Sequence, residues 1–286
     1  MNPTADLQSF FGAWELFELP ALAATFAGAA LGLLGVYVVL RRLVFLSAAV
    51  SQAAGLGVAL ALFAGHLGAA AFLASPLLGA SATTLAAVLL IATARGSRRA
   101  SPVGHDALLG FVWLLGAAGT LAVGTRLGAE MHDVEGLLFG SAVAVSPADF
   151  AVVRLVTFAV LVLQLWWWRG FASVSFDPVG ARVRGLPVRI LDLALYVSLA
   201  LAISVSTRVL GALPTFAFSV LPALAAVRLV ANVPRALLLG TVLGAASGFV
   251  GYVVAYLWQL PVGAAQTLVA LAIVIAVWPL GRLRGR

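Results

Sequence analysis

The sequence is dominated by apolar runs of about 20 residues, the helix length that spans the hydrocarbon core of a bilayer. Of the 286 residues, 63% are hydrophobic and only 9% are charged. A soluble core of this size cannot bury that much apolar surface. The alternating polar and apolar segments of a membrane β-barrel are absent from the sequence. These features predict an all-α polytopic membrane protein.

Nine of the runs are long enough to be membrane-spanning helices, and residues 1–286 are interpreted as a single transmembrane domain. The third run contains the pair Ser75-Pro76, where we expect a kink. The predicted spans are residues 19–40, 43–64, 67–94, 106–125, 149–168, 189–207, 211–231, 236–258 and 264–281.

Small residues recur at four-residue spacing in two of the predicted spans. Gly28 and Gly32 lie in the first span, and Gly240, Gly244 and Gly248 lie in the eighth. This spacing lets helix backbones approach closely in lipid. We favour close packing inside one subunit over a seam between two subunits.

The arginines predict the orientation of the chain in the membrane. All 17 basic residues are arginine and the net charge is +7, which in a soluble protein would suggest a nucleic-acid partner. Here the arginines cluster in short loops, so they indicate topology and no nucleic-acid partner is expected. We predict an integral protein of the cytoplasmic (inner) membrane, surrounded by lipid, with the N-terminus outside and the C-terminus in the cytoplasm. Fourteen of the 17 arginines then lie inside: 41, 42, 95, 98, 99, 169, 182, 184, 189, 228, 235, 282, 284 and 286.

One polar stretch, residues 173–189, separates the fifth and sixth predicted spans, and we call it the elbow. Asp177 followed by Pro178 is typical of a helix start, with the aspartate at the cap. Gly185 is typical of a helix end. The topology places the elbow in the cytoplasm. A short capped basic helix there favours contact with a soluble partner, and the alternative is a positive loop that only fixes topology.

Ionisable groups are nearly absent from the predicted spans, and no carboxylate or histidine lies clearly at mid-membrane. Proton-coupled and sodium-coupled transporters need such groups at depth. A phosphate-binding glycine loop is also absent from the sequence. The sequence therefore favours a permease that is not itself an enzyme and is driven by a separate ATPase. A secondary transporter working alone is the alternative.

Two segments contain candidate translocation-path residues. Ser47, Ser51 and Gln52 lie within about one helical turn of one another at the start of the second span. Such groups either bond helices together or line a path. Pro214 and Pro222 interrupt the hydrogen-bond ladder of the seventh span. This pattern predicts either a broken helix beside the path, with Pro222 lining it, or a plain proline kink.

The loop before the fifth span contains a histidine with three carboxylates nearby. His132 and Asp133 are adjacent, and Glu130 and Glu135 lie nearby. Imidazole and carboxylate groups are metal ligands, so His132 and Asp133 are candidates for receiving a cation outside the membrane. A solvated loop is the alternative interpretation.

Three blocks and one further turn of the sequence follow the motifs of a known family. Residues 35–57, the first block, are similar to G-x-[FY]-V-V-L-R-R-x-x-F-x-G-D-A-x-S-H-x-x-x-P-G. The second block, residues 175–188 running into 211–228, resembles F-D-P-x-x-A-x-x-x-G-L-P and then G-x-L-L-x-x-x-L-L-x-x-P-A-x-x-A. The third block, residues 257–265, resembles D-L-P-x-G-A, and residues 138–141 resemble an L-F-G turn. Together they resemble the permease subunits of metal-ion ABC importers, the zinc/manganese/iron group (ABC-3).

This resemblance implies a type II importer architecture. Its expected partners are a second permease (a homodimer or a paired permease), a cytoplasmic ABC ATPase and an extracytoplasmic metal-binding protein. The transported solute would be a divalent metal, zinc or manganese, and the chain itself would bind no cofactor. The elbow would be the coupling helix that docks into the ATPase. The residues carried over to that role are Asp177, Pro178, Ala181, Arg182 and Gly185.

The chain departs from the family pattern in the second span. Where the family has an aspartate and a histidine four residues apart, facing the pore as metal ligands, this chain has Ala48 and Gln52. Neither side chain supplies an anionic or imidazole ligand. The following proline of the pattern is Leu56. The usual metal gate is therefore not carried over, and a metal chelate or another small solute is the alternative substrate.

Overall fold

The computed structural model describes residues 3–70, 72–96, 102–127 and 145–283. These residues form helices and connecting turns, and no strand occurs among them. A single 3-10 turn, Thr125–Leu127, follows α5. The helices are α1 Pro3–Gly12, α2 Trp14–Leu40, α3 Val44–His66, α4 Pro76–Gly96, α5 Pro102–Gly124, α6 Pro147–Trp166, α7 Trp168–Phe176, α8 Pro178–Val183, α9 Val188–Leu210, α10 Ala212–Leu229, α11 Val233–Trp258 and α12 Val262–Leu283.

Within the described ranges, nine helices are long and apolar enough to cross a membrane. They are α2 to α6 and α9 to α12, and each overlaps one predicted span in the predicted order. The prediction of a nine-span helical membrane protein is confirmed. The three short helices are α1 at the N-terminal end and the consecutive pair α7 and α8, which form most of the elbow.

Helix α2 lies at the centre of the bundle, where it packs against α6, α9, α10 and α11. Its contact with α11 uses the glycines at four-residue spacing. A Cβ atom added to Gly28 would collide with the carbonyl oxygen of Gly244, and one added to Gly32 would collide with that of Gly240. Close backbone contact of this kind stabilises helix pairs in lipid through van der Waals packing. The prediction that these glycines pack inside one subunit is confirmed.

The third predicted span is wrong at its start. Helix α3 ends at His66, the chain turns through Gly68 at φ 76°, and α4 begins only at Pro76. Proline is favoured at a first helical position because it has no N–H to leave unpaired and its φ is already helical. Pro76 therefore starts a helix instead of kinking one, and residues 67–70 and 72–75 lie in the connection between α3 and α4.

Helix α10 is continuous from Ala212 to Leu229, so the broken-helix interpretation of the seventh span is wrong. Pro214 lies in the first turn, where a missing N–H costs no hydrogen bond. Pro222 lies inside the helix and is buried. Helix α10 packs closely on α2 one turn before this proline. A Cβ atom added to Gly35 of α2 would collide there with the carbonyl oxygen of Ser219.

Candidate functional site

The elbow contains a short helix whose two ends are both capped. The Asp177 carboxylate oxygen Oδ1 accepts a hydrogen bond of 2.8 Å from the backbone N–H of Gly180, and Pro178 is the first helical residue. At the other end Gly185 has φ 78°, and its N–H donates to the Arg182 carbonyl at 3.0 Å. The next N–H, of Leu186, donates to the Ala181 carbonyl, which completes a Schellman-type end. The predicted start and stop of this helix are confirmed.

Helix α8 is attached to the bundle on one face only. Ala181 is fully buried, and α8 packs against α7 and α9. The rest of the helix is exposed, and Val183 keeps 84% of its surface accessible. An exposed helix that combines apolar and cationic side chains is a surface suited to a protein partner. The exposed side chains are Pro178, Val179, Arg182 and Val183 on the helix, with Phe176, Asp177 and Arg184 on either side of it.

The polar residues of the second span are bonded mainly to their own helix. Ser47 Oγ donates to the Val44 carbonyl at 2.9 Å, and Ser51 Oγ donates to the Ser47 carbonyl at 2.8 Å. Both serines are buried. Gln52 is partly buried, its backbone lies against Gly116 of α5, and its Oε1 has no partner among the described residues. A role of these residues in a translocation path stays a prediction.

The remaining predicted site residues lie on another helix or outside the described ranges. Pro222 lies on α10, a helix that contacts α3, and its place beside a path also stays a prediction. His132 and Asp133 lie outside the described residues, as does the L-F-G turn at residues 138–141. In the part of the chain that the structure describes, no group of three or more His, Asp or Glu side chains could hold a metal ion.

The structure adds contacts for one residue that the sequence indicated only as a topology signal and as part of the family pattern at residues 35–57. Arg41, at the end of α2, has a side chain that is only 10% exposed. It donates hydrogen bonds to Ser175 in α7 and to Asp192 in α9. These partners are 134 and 151 residues away in sequence, so no local pattern predicts the contacts.

In the part of the chain that the structure describes, nine apolar helices, with the buried α2 at their centre, and the exposed basic elbow form a polytopic membrane protein. The ABC 3 transport family matches residues 14–280, and the chain belongs to this family. The family resemblance of the sequence motifs is thereby confirmed.

Two relatives and one solved structure show how far the similarity extends. The chain is 30% identical over 259 residues to the uncharacterized membrane protein slr2045 of Synechocystis sp., covering 90% of this chain and 88% of that protein. It is 28% identical over 240 residues to the manganese transport system membrane protein MntC of Listeria innocua, covering 84% and 81%. Its fold matches a chain of PsaBC from Streptococcus pneumoniae in complex with Fab at a TM-score of 0.81, with 22% identity and 95% of both chains covered.

Proposed function

We propose that the chain is the membrane-spanning permease subunit of an ATP-binding cassette importer that moves a divalent metal ion, zinc or manganese, into the cytoplasm. The observation that carries this proposal is the exposed, doubly capped α8 in a member of a transport family. Two caps fix the helix, and one buried alanine anchors it. Its apolar and cationic face is therefore held ready for a soluble partner.

The energy for transport comes from that partner. The chain contains no lysine, so it lacks the lysine that a P-loop uses to bind nucleotide phosphates. A separate cytoplasmic ATPase docks at α8, hydrolyses ATP and switches the permease between outward-facing and inward-facing states. The N-terminus lies outside, and an extracytoplasmic metal-binding protein delivers the ion to a pair of permease chains.

The identity of the solute rests on the relatives and on the second span. The Listeria relative is named for manganese transport, which supports a divalent metal. Ala48 and Gln52, however, provide no anionic ligand. This difference favours a second candidate function on the same scaffold, a permease for a metal chelate or another small solute.

The proposal is tested by purifying the chain together with its ATPase and binding protein and measuring uptake into proteoliposomes. The probes are radioactive Mn²⁺ and Zn²⁺, each offered free and as a chelate. We expect ATP-dependent uptake of a free ion and stable copurification of the ATPase. Gly185→Val should reduce both because it places a β-branched residue at a positive φ at the end of α8.

Gly68→Val is the matched control. Gly68 has almost the same φ, 76° against 78°, and lies in the connection between α3 and α4, away from the elbow. It should leave ATPase binding unchanged. Uptake of the chelate alone would support the second candidate, and ATP-independent uptake by the chain alone would overturn the proposal in favour of a secondary transporter.

A further inference from the structure

Arg41 joins the end of α2 to the two helices that flank α8 in the chain, α7 and α9, which we call the arms of the elbow. Its Nε donates to Ser175 Oγ at 2.7 Å, and its Nη1 donates to Asp192 Oδ1 at 2.6 Å. Ser175 lies in α7, two residues before the Asp177 cap of α8. Asp192 lies near the start of α9, on the far side of α8 in the chain. One guanidinium group therefore holds the segments that enter and leave α8.

The burial of this contact makes it more than a surface ion pair. The Arg41 side chain is 10% exposed and the Asp192 side chain is 37% exposed. Charge-assisted hydrogen bonds with short distances are about twice as strong as neutral ones, and Arg offers two donors in a fixed fork. Lysine could not reproduce this geometry, because its single ammonium is a point charge. The planar fork is what lets Arg41 hold both arms at once.

A second set of contacts, one helical turn away from Arg41, also joins α7 to α2. Ser175 Oγ also donates to the Phe171 carbonyl at 2.6 Å, and the Phe171 ring lies 5.9 Å from the ring of Tyr37. Tyr37 is one helical turn before Arg41 on α2, and both rings are fully buried. Helix α7 is thus held against α2 at two successive turns, one apolar and one polar.

The same residue begins the turn into the second span. Arg41 N–H donates to the Tyr37 carbonyl at 2.9 Å, and Leu43 N–H donates to the Val38 carbonyl at 2.7 Å. Helix α3 starts directly after this turn, at Val44. Arg41 is therefore joined to the helix of Ser47, Ser51 and Gln52 by a short turn that is closed by backbone hydrogen bonds.

We infer that Arg41 is a positioning residue that couples the elbow to the α2–α3 turn, an inference that rests on the proposed function. Arg41 contacts neither nucleotide nor solute. It transmits the displacement of α8 by the ATPase to α2 and α3, so that hydrolysis and transport stay linked. Without it, the ATPase docks and turns over while the membrane helices do not follow.

The test measures ions imported per ATP hydrolysed in proteoliposomes that contain the complete complex, with radioactive Mn²⁺ as the probe. Arg41→Gln and Asp192→Asn should each lower this ratio about tenfold, within the range measured for mutations along coupling networks. Arg42→Gln is the matched control, because it removes the same charge from an exposed neighbouring side chain. That variant should stay within about twofold of the wild type. A residue that only stabilised the fold would lower assembly and leave the ratio unchanged.

The Arg41→Gln/Asp192→Asn double variant should be no worse than the poorer single variant, since both remove one interaction. Ser175→Ala keeps Arg41 and therefore keeps the inference falsifiable if Arg41→Gln assembles poorly. Ser175→Ala removes the hydrogen bonds of Ser175 Oγ to Arg41 and to the Phe171 carbonyl but leaves the ion pair of Arg41 with Asp192, so it should lower the ratio about threefold. The inference is overturned if Ser175→Ala or Arg41→Gln keeps the wild-type ratio, or if Arg42→Gln loses as much. A wild-type complex without ATP-dependent uptake would instead overturn the proposed function.

Discussion

The contact between α2 and α11, which we call the seam, and the elbow differ in how they use small residues. At the seam, small residues from both helices bring two backbones into contact over several turns, with Gly248 against Ala24 beyond the pairs already described. At the elbow, α8 has one fully buried residue, Ala181, and its other side chains are partly or fully exposed. The seam depends on the close fit of two helix backbones. The elbow depends on the hydrogen bonds that cap α8 and on the exposed side chains of α8.

This difference separates stability from function. A substitution in the seam must displace backbone, so it should unfold the bundle whatever the partner does. A substitution on the exposed face of α8 should leave the bundle intact and affect only what docks there. The following substitutions are ordered by expected effect, and each tests whether the stability of the bundle and the docking at α8 depend on different residues.

The largest effect is expected for Gly244→Val in the seam. A Cβ atom at this position would collide with the carbonyl oxygen of Gly28. We expect a loss of about 3 kcal/mol, the upper part of the range for overpacked cores, seen as early thermal unfolding in detergent. Gly110→Val is the control, because a Cβ there meets no atom within 4 Å. Equal stability of the two variants would contradict the role of the seam.

A smaller effect, confined to docking, is expected for Val183→Asp on α8. The side chain is 84% exposed, so the fold should be unaffected. A carboxylate placed in an apolar contact should weaken ATPase binding about tenfold, as for a central interface residue. Leu67→Asp changes a residue of similar exposure in the α3–α4 connection and should not alter ATPase binding. A drop in thermal stability for Val183→Asp would show that α8 belongs to the core.

Asp177→Ala should weaken the same docking less. It removes the hydrogen bond to the Gly180 N–H, and loss of a helix N-cap costs about 1 kcal/mol. ATPase affinity, measured by titration of the purified subunits, should fall about fivefold. Asp177→Asn keeps a capping oxygen and should restore most of the affinity. If the asparagine variant is as weak as the alanine variant, the carboxylate has another role than capping.

The smallest effect is expected for Gln52→His. Imidazole binds Zn²⁺ and Mn²⁺ better than an amide does, so the metal retained by the purified chain should rise about twofold. Gln52→Leu, which removes the amide, is the control. Unchanged metal content in the histidine variant would show that Gln52 does not face the conduit.

The spans were predictable because hydropathy reports the apolar length that a bilayer requires. Hydropathy did not reveal the connection between α3 and α4, because residues 67–75 are nearly all apolar. The turn was signalled only by Gly68 and by Ser75-Pro76. Hydropathy indicates which residues are apolar enough to lie in a membrane. Where a helix begins is determined instead by residues such as glycine and proline.

The candidate site was predictable where its determinants are local. The caps of α8 are set by Asp177, Pro178 and Gly185, which lie within nine positions of one another in the printed sequence. The contacts of Arg41 were not predictable, because they join α2 to residues of α7 and α9 that are brought together only by folding. The glycine spacing predicted close packing, but the choice of α11 as the partner of α2 also depends on the whole fold.

The proposed function requires that α8 faces the cytoplasm and is covered there by an ATPase. The chain contains no cysteine, so Val183→Cys would introduce a single thiol at a position of α8 that is 84% exposed. A membrane-impermeant maleimide should label this thiol from the cytoplasmic side only, and a bound ATPase should protect it. Labelling from the outer side, or unchanged labelling in the presence of the ATPase, would contradict the account.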